Sequence, residues 1–400
     1  MTSANPQSDD AVPGEVIVNV FGRTDVGRVR DHNEDSFLVA DLTADNASLQ
    51  PEVRTHLVGS HGSLFMVADG LGGAAAGEVA SELAILTVQS ELRAQWRSAS
   101  ERNAEVFARA IKAAAEAANA KIFAYAVEHP ESRGLGTTAT IAGLLGDTLY
   151  LAQVGDSRAY LVRNGVALQI TKDQSLMQRL IEAGELTPEE AERSERRNII
   201  LQALGPEPTV KIDLTYQKVR RGDTLVLCTD GLSGLVRKDE IAEILQESND
   251  DLLTACKELI DRANENGGPD NITVIVARFE GEGLTSPEDE EAVGHAVFPL
   301  PGSATPTTPR HRFVDGPTAP FRRRNTNAVA AAPDPEPDTF APIATPRPMS
   351  SRGRSILFLV AGVLLAITIL LALRIYKTGV VHRTKPEPTH PTAADSGVRA

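Results

Sequence analysis

Cysteine and positive charge are what this 400-residue sequence has least of. Cys228 and Cys256 are its two cysteines and do not form a CxxC pair, which excludes a disulfide scaffold. We expect both to be buried, reduced thiols. Lys and Arg number 40 against 54 Asp and Glu, so the net charge is −14. Because nucleic-acid binding needs a basic patch, we expect no nucleic-acid partner.

We expect no signal peptide at the N-terminus, because MTSANPQSDD is polar and acidic, without a basic region followed by an apolar core. A membrane segment is predicted at the other end. Residues 356–373 carry no charge, lie between Arg354 and Arg374, and span ~27 Å at ~1.5 Å per residue. The alternative, a buried helix of a soluble domain, normally keeps a polar face. We therefore expect one transmembrane helix over residues 355–374 and a short polar tail over 375–400.

Residues 282–354 have a composition unlike that of a folded domain. They hold 13 of the 24 prolines, with repeated Thr-Pro pairs. Such a segment buries too little apolar surface to offset the entropy of ordering it. We predict a disordered linker here and one folded domain over residues 15–281. With no export signal, we expect that domain in the cytoplasm, held at the cell membrane by a single span.

Strand and helix patterns are mixed within the folded domain. Long helices are predicted over 74–97 and 103–127, and several strands adjoin through short turns, as in LLGDTLYLAQVGDSRAYLVRNG. Clusters of antiparallel strands between helical blocks indicate an α+β fold rather than repeated βαβ units. The predicted strands are 15–22, 63–68, 137–145, 148–154, 159–163, 224–228 and 272–279.

Acidic residues recur at the ends of these apolar strands. In MVADGLGG the strand reaches Asp69 and then Gly70, and a single Asp-Gly pair of this kind is usually a tight turn. The pattern repeats too often for that interpretation, because like charges brought together by neighbouring strands repel. Bound cations would make the cluster tolerable. Its members are Glu34, Asp35, Asp69, Asp156, Asp230 and Asp270.

These candidate ligands are all oxygen donors, which favour Mg²⁺ or Mn²⁺ over Zn²⁺. Neither a P-loop nor a calcium-binding loop is present, so the cations are not expected to serve a nucleotide. Carboxylates around two hard cations are typical of phosphate-ester hydrolysis, in which a metal-bound water is the nucleophile. The residues thus predict a phosphate hydrolase.

The ordered motifs RDHNEDS, VADGLGG, GTT, VGDSRAY, CTDGL and GPDNITVIV resemble the metal-dependent Ser/Thr protein phosphatases, the PPM or type 2C family, in its bacterial form. The resemblance covers about residues 18–280. It implies a four-layer αββα sandwich of two antiparallel sheets flanked by helices. It also implies hydrolysis of phosphoserine and phosphothreonine on proteins, with two Mn²⁺ or Mg²⁺ ions and a third, weaker one.

The resemblance also implies a role for each matching residue. Asp69 would bridge both metals, Gly70 would supply a carbonyl ligand, and Asp230 and Asp270 would hold the first metal. Asp156 would hold the third ion. Glu34 and Asp35 would orient metal-bound waters, and Arg30 would bind the phosphate. Residues 174–208 match the family's flap, and Asn271 is expected to support its loop rather than the chemistry.

Two departures from the family's pattern affect details. Leu71 stands where many eukaryotic relatives have a histidine as candidate general acid, which leaves the source of the leaving-group proton open. His32 is a nearby alternative. The flap reads RSERRN at 193–198 where relatives often have a His-Pro pair, which concerns substrate preference.

Other functions compete with this one. A haloacid-dehalogenase-type phosphatase is excluded because Cys228 stands where it would need an aspartate, two residues before Asp230. The remaining alternatives are a non-catalytic PPM-like module and a module acting on an anti-sigma antagonist. Because every expected acid is present, we expect an active enzyme whose partners are phosphorylated proteins, including Ser/Thr kinases, and the membrane through residues 356–373.

Overall fold

The computed structural model describes residues 14–72, 76–132, 134–288 and 293–300. All of them belong to the first of two units into which the chain divides, Met1–Arg310. The predicted membrane span and polar tail lie outside the described residues. Within the described ranges, no helix has both the length and the apolar character needed to cross a bilayer.

The first sheet has six antiparallel strands. Its central strands are apolar on both faces, since one face meets helices and the other meets the second sheet. In spatial order the strands are β10 (Val166–Gln169), β9 (Arg158–Arg163), β12 (Thr224–Cys228), β13 (Ile272–Glu280), β1 (Ile17–Asp25) and β4 (Val53–Leu57).

The second sheet has seven strands, also antiparallel. Along its main path they are β11 (Asp213–Lys218), β8 (Thr148–Val154), β7 (Ala139–Leu145), β5 (Ser63–Leu71), β2 (Asp35–Asp41) and β3 (Asn46–Ser48), while β6 (Gly136–Thr137) pairs with the end of β5. Strand β5 shows the two-residue period: Leu64 and Met66 face the helices, and Phe65 and Val67 face the other sheet.

Helices cover the outer face of each sheet. The pair α1 (Ala76–Arg97) and α2 (Ala104–Glu128) packs on the second sheet, and α6 (Lys238–Glu247) and α7 (Leu252–Glu265) pack on the first. Short helices α3 (Leu176–Glu182) and α4 (Pro188–Glu192) lie in the flap, α5 (Asp230–Ser233) follows β12, and a 3₁₀ turn spans Pro130–Ser132. The predicted αββα sandwich of two antiparallel sheets is confirmed.

The packed chain continues beyond the predicted boundary at residue 281. Leu284 is 1% exposed in the core between the sheets. The backbone at Ala296 and Phe298 bonds to Tyr216 and Leu214 of β11, and the Phe298 ring packs edge-on against Tyr150 at 5.4 Å. The domain therefore extends past residue 281, because apolar residues at the start of the proline-rich segment cover edge strand β11, which would otherwise be open. The rest of the predicted linker, from residue 301 onward, lies outside the described residues.

Candidate metal centre

Asp69 and Gly70 do not form a turn. Strand β5 continues through both to Leu71, and β6 pairs with Gly70 and Leu71. The Asp69 amide donates to Thr138 Oγ1 at 3.0 Å, and its carbonyl accepts from the Thr137 hydroxyl at 2.8 Å. A Cβ at position 70 would lie 2.2 Å from the Gly77 carbonyl, so glycine lets helix α1 begin directly against this strand.

Asp35 on β2 lies directly opposite Asp69 on the neighbouring strand β5, because the two residues are partners in the β2–β5 register. Its carboxylate accepts from the Thr229 hydroxyl at 2.8 Å and the Thr273 hydroxyl at 2.7 Å, both from the first sheet. Burial raises the pKa of Asp35 to about 7, an effect that the two hydroxyls oppose and Asp230 reinforces. Asp35 therefore connects the two sheets beneath the acid cluster.

Asp230 and Asp270 approach from the first sheet. Asp230 opens α5 just after β12, and Asp270 precedes β13, the neighbour of β12. The Asp69 and Asp230 carboxyl groups lie close enough to affect each other's pKa. Burial raises the pKa of Asp230, and Asp270 raises it further. Burial also raises the pKa of Asp69 well above its usual range, with Asp35 as the next cause. The predicted acids of both sheets are thus close enough to shift one another's pKa, and they are Asp35, Asp69, Asp230 and Asp270.

Asp156 lies in the connection between β8 and β9 and is 7% exposed. Its Oδ1 atom is buried and has no hydrogen-bond partner among the described residues. Burial raises the pKa of Asp156 to about 7, and the charge of Asp230 adds to this. A buried carboxylate oxygen without a donor is costly, so this atom points to a cation as its missing partner.

Arg30, Glu34 and Asn271 surround the mouth of the cluster. Arg30 Nη2 donates to Asp270 Oδ2 at 2.8 Å, while about half of its side chain stays exposed. Asn271 Oδ1 accepts from the Glu34 amide at 2.8 Å, and Asn271 Nδ2 donates to the Val26 and His32 carbonyls. Asn271 therefore supports this loop, as expected. Burial raises the pKa of the Glu34 carboxyl, and Arg30 opposes that effect.

The cluster fits hard divalent cations. Across the described part of the chain, Asp35, Asp69, Asp156 and Asp230 make no ion pair with Lys, Arg or His. Within those same residues, no group of three or more His, Cys, Asp or Glu side chains is placed so that it could by itself hold a metal ion. A cation here would therefore complete its shell with a carbonyl such as that of Gly70 and with water, since Mg²⁺ keeps several waters.

The flap begins and ends at the cluster. The amide of Gln174 donates to the Gly155 carbonyl at 2.8 Å, and Leu204 exchanges backbone hydrogen bonds with Thr137. Thr187 caps α4 in a capping box with Glu190. His32 is exposed, and no hydrogen bond of its ring is found in the described ranges, so its role as general acid stays a prediction.

Sequence reasoning missed the neutral residues that hold the acids. Thr229 and Thr273 bind Asp35, and Thr138 binds the Asp69 amide. Thr138 also shares a hydrogen bond of 2.8 Å with the buried Ser157 hydroxyl. Threonine in a strand is usually a packing residue, so only the tertiary structure identifies these partners. The GTT motif, which contains Thr137 and Thr138, was the one available signal.

Comparison with known proteins agrees with the fold and the site. The family model "Protein phosphatase 2C" matches residues 44–271. The "Serine/threonine phosphatase stp" of Listeria monocytogenes is 37% identical over 255 residues, covering 64% of this chain and 93% of that protein. The "Serine/threonine protein phosphatase PstP" of Mycobacterium tuberculosis is 37% identical over 263 residues, covering 66% of this chain and 45% of that protein.

Solved structures give the same assignment. The crystal structure of the Mycobacterium tuberculosis serine/threonine phosphatase PstP/Ppp matches with 36% identity and a TM-score of 0.55, covering 66% of this chain and 99% of that one. The PstP catalytic domain in complex with two manganese ions matches with 35% identity and a TM-score of 0.53, over 66% of this chain and 99% of that one. The chain belongs to the protein phosphatase 2C family.

Proposed function

We propose that this protein hydrolyses phosphoserine and phosphothreonine on other proteins, using two Mn²⁺ or Mg²⁺ ions. The observation that carries the proposal is the cluster of Asp35, Asp69, Asp156 and Asp230: Asp35 and Asp156 are buried, and none of the four has an ion-pair partner in the described part of the chain. Carboxylates brought this close need cations. Membership of the protein phosphatase 2C family and the two manganese ions of the PstP structure support the same chemistry.

The residues divide the work of holding the cations. Asp69 would bridge the pair, with the Gly70 carbonyl as a further ligand. Asp230 and Asp270 would hold one of the two ions, and Asp156 would hold a weaker third. When bound, the ions neutralise the phosphate charge and activate a water for attack on phosphorus.

The chain's own polar groups orient the reactants. Asp35, fixed by two threonine hydroxyls, and Glu34, fixed through its backbone, accept hydrogen bonds from water in the cluster. Arg30 binds phosphate oxygens with its exposed guanidinium atoms while Nη2 stays on Asp270. A planar, charged donor pair suits phosphate geometry.

The test is turnover of phosphoserine and phosphothreonine peptides by the full chain, with Mn²⁺ and with excess chelator. We expect hydrolysis with Mn²⁺ and silence in chelator, because the cluster offers no protein nucleophile in place of water. Undiminished turnover in chelator, or a trapped phospho-enzyme, would contradict the mechanism. No turnover under either condition would favour a non-catalytic module.

Membrane anchoring is a second part of the proposal. The charge-free run 356–373 between Arg354 and Arg374 supports a single span, with the catalytic domain in the cytoplasm. Removing residues 355–400 should move active enzyme to the soluble fraction without loss of turnover on a small phosphopeptide. Protease protection in sealed vesicles tests the orientation, and an external catalytic domain would refute it.

Ser/Thr protein kinases and their targets are the proposed partners. A phosphatase domain tethered at a membrane is suited to oppose kinases at the same membrane. Comparing phosphopeptides from cells with and without the protein tests this. We expect a rise in phosphoserine and phosphothreonine on kinases and their substrates, and an unchanged phosphopeptide profile would overturn it.

A further inference from the structure

Gln174, at the start of the flap, has no role in the proposed metal chemistry, yet its side chain makes four hydrogen bonds. Its Oε1 accepts from the Gly155 amide at 3.1 Å. Its Nε2 donates to Asp213 Oδ2 at 3.0 Å, to the Gln153 carbonyl at 3.3 Å and to the Lys211 carbonyl at 3.4 Å. One neutral amide thus connects the start of the flap, the strand leading to Asp156, and the chain that follows the flap.

The backbone of Gln174 adds two more connections. Its amide donates to the Gly155 carbonyl at 2.8 Å, and its carbonyl accepts from the Leu201 amide at 2.8 Å. Gly155 is therefore bound to Gln174 through both its N–H and its C=O. Leu201 lies near the far end of the flap, so Gln174 is where the two ends of the flap meet the loop that carries Asp156.

Gly155 is held from the opposite side by Thr138. A Cβ at Gly155 would lie 2.6 Å from the Thr138 methyl group, and the φ of Gly155 is +97°, which favours glycine. The Thr138 hydroxyl accepts from the Asp69 amide. Gly155 is thus clamped between a residue that contacts the Asp69 strand and a residue at the base of the flap.

We propose that Gln174 is a positioning residue that fixes the flap relative to the Asp156 loop, and through this sets the affinity for protein substrates. The inference rests on the proposed function, because it assigns the flap to binding of the peptide that carries the phosphate. A small aryl phosphate lacks that peptide and does not need the flap.

The amide group is what the position requires. The Gly155 N–H needs an acceptor, and the Asp213 carboxylate needs a donor. Glutamine supplies both without charge, whereas glutamate would place a second carboxylate against Asp213. Alanine supplies neither group. Comparing glutamine, glutamate and alanine at position 174 therefore distinguishes the effect of the hydrogen bonds from the effect of side-chain volume.

The first experiment compares Gln174→Ala with wild type in the full chain. We expect faster hydrogen exchange in the segment containing Gly155, together with a roughly tenfold higher KM for a phosphopeptide. The kcat/KM for an aryl phosphate should change by less than about threefold. Gln178→Ala is the matched control and should match wild type, because the Gln178 amide group donates to the exposed Glu182 one turn along the same short helix.

The second experiment is a rescue. Gln174→Glu should raise the KM for the phosphopeptide through repulsion by Asp213, and Asp213→Asn alone should change it little. When both substitutions are combined, the new amide at position 213 donates to the new carboxylate at position 174, and the hydrogen bond is restored with donor and acceptor exchanged. We expect the double variant to recover part of the lost affinity, because the contacts to the Gln153 and Lys211 carbonyls stay lost; such a non-additive result is not produced by mere loss of packing.

Three results would overturn the inference, and the first two are unchanged Gly155 exchange and KM in Gln174→Ala and no rescue by Asp213→Asn. An equal loss on aryl phosphate and phosphopeptide would also overturn it, since that marks general damage to the site. The exchange measurement needs no turnover. If wild type hydrolysed neither substrate, the proposed function would fail while the Gln174 link would still be decided by exchange.

Discussion

Strand β12 has an aspartate beside each of its ends, Asp223 before it and Asp230 after it, and the two carboxylates differ in their partners. Before the strand, Asp223 is 1% exposed and receives two hydrogen bonds from Arg163, at 2.9 and 2.7 Å, and one from the Arg220 amide at 2.7 Å. After the strand, Asp230 faces Asp69 and Asp270, and among the described residues no ion pair compensates it.

The comparison distinguishes a structural charge from a functional one. At the Asp223 end, the fold supplies the opposite charge itself, so nothing from solution is needed. At the Asp230 end, carboxylates from both sheets converge, and burial with mutual repulsion raises the pKa values of Asp69 and Asp230. Because the chain supplies no positive charge to balance the carboxylates at the Asp230 end of β12, we expect that end to bind cations from solution.

The largest expected effect comes from removing the shared charge at the Asp230 end. Asp69→Asn should lower kcat with Mn²⁺ by at least ~10³-fold, on the order of 4 kcal/mol, because an amide cannot bridge two cations. Steady-state kinetics at saturating Mn²⁺ measure this. Near-normal turnover would show that the cluster is not the catalytic centre.

Breaking the opposite end should affect stability instead. Asp223→Ala leaves the Arg163 charge buried without its carboxylate, and we expect a loss of about 3 kcal/mol in the free energy of unfolding. The kcat of the folded fraction should stay at the wild-type value. Urea denaturation followed by kinetics on folded protein tests both, and a large fall in kcat would erase the distinction between the two ends.

The cluster should also give the metal-free protein a characteristic pH dependence. Asp35 and Asp156 have folded pKa values of about 7, above the unfolded value of ~3.9, so the folded state binds more protons between these limits. In chelator, stability should therefore fall by roughly 2 kcal/mol as pH rises from about 6 to 7. Mn²⁺ should reverse this loss at the higher pH.

Urea denaturation in chelator at both pH values measures the effect. Asp156→Asn is the matched control: it removes one titrating group and should reduce the slope. A metal-free protein that gained stability between these pH values would contradict the account of the cluster, because its acids would then be stabilised as anions by the fold itself.

The smallest effect concerns the segment that covers strand β11. Phe298 packs on Tyr150 and Tyr216 but stays partly exposed, so Phe298→Ala should cost about 1 kcal/mol of unfolding free energy. Turnover of an aryl phosphate should not change. Thermal unfolding measures the loss, with Val297→Ala, an exposed neighbour, as the control. Equal melting temperatures for wild type and Phe298→Ala would show that the segment is dispensable.

Parts of the fold were predictable because burial on both faces gives strands a continuous apolar sequence. Strands 148–154 and 224–228 have the predicted bounds. Edge strands β3, β4, β10 and β11 were missed, since their exposed faces carry polar residues such as those of DLTYQK. The end of the domain was placed too early because proline content obscured the contribution of Leu284 and Phe298.

The acids of the candidate site were predictable for the opposite reason. A carboxylate at the end of an apolar strand is unfavourable for packing, and its repetition marks a site. The hydroxyls of Thr229 and Thr273 and the amide of Gln174 carry no such signal. They are compatible with strands and loops anywhere, and only the juxtaposition of both sheets with the flap shows what they bind.

Calorimetric titration of the chelator-treated full chain with Mn²⁺ tests the central claim most directly. We predict two tight sites in wild type and in Asp223→Asn, two tight sites without the weak third in Asp156→Ala, and depleted binding in Asp69→Asn. Wild-type binding in Asp69→Asn, or depletion in Asp223→Asn, would contradict the claim that the uncompensated end of β12 is the cation site.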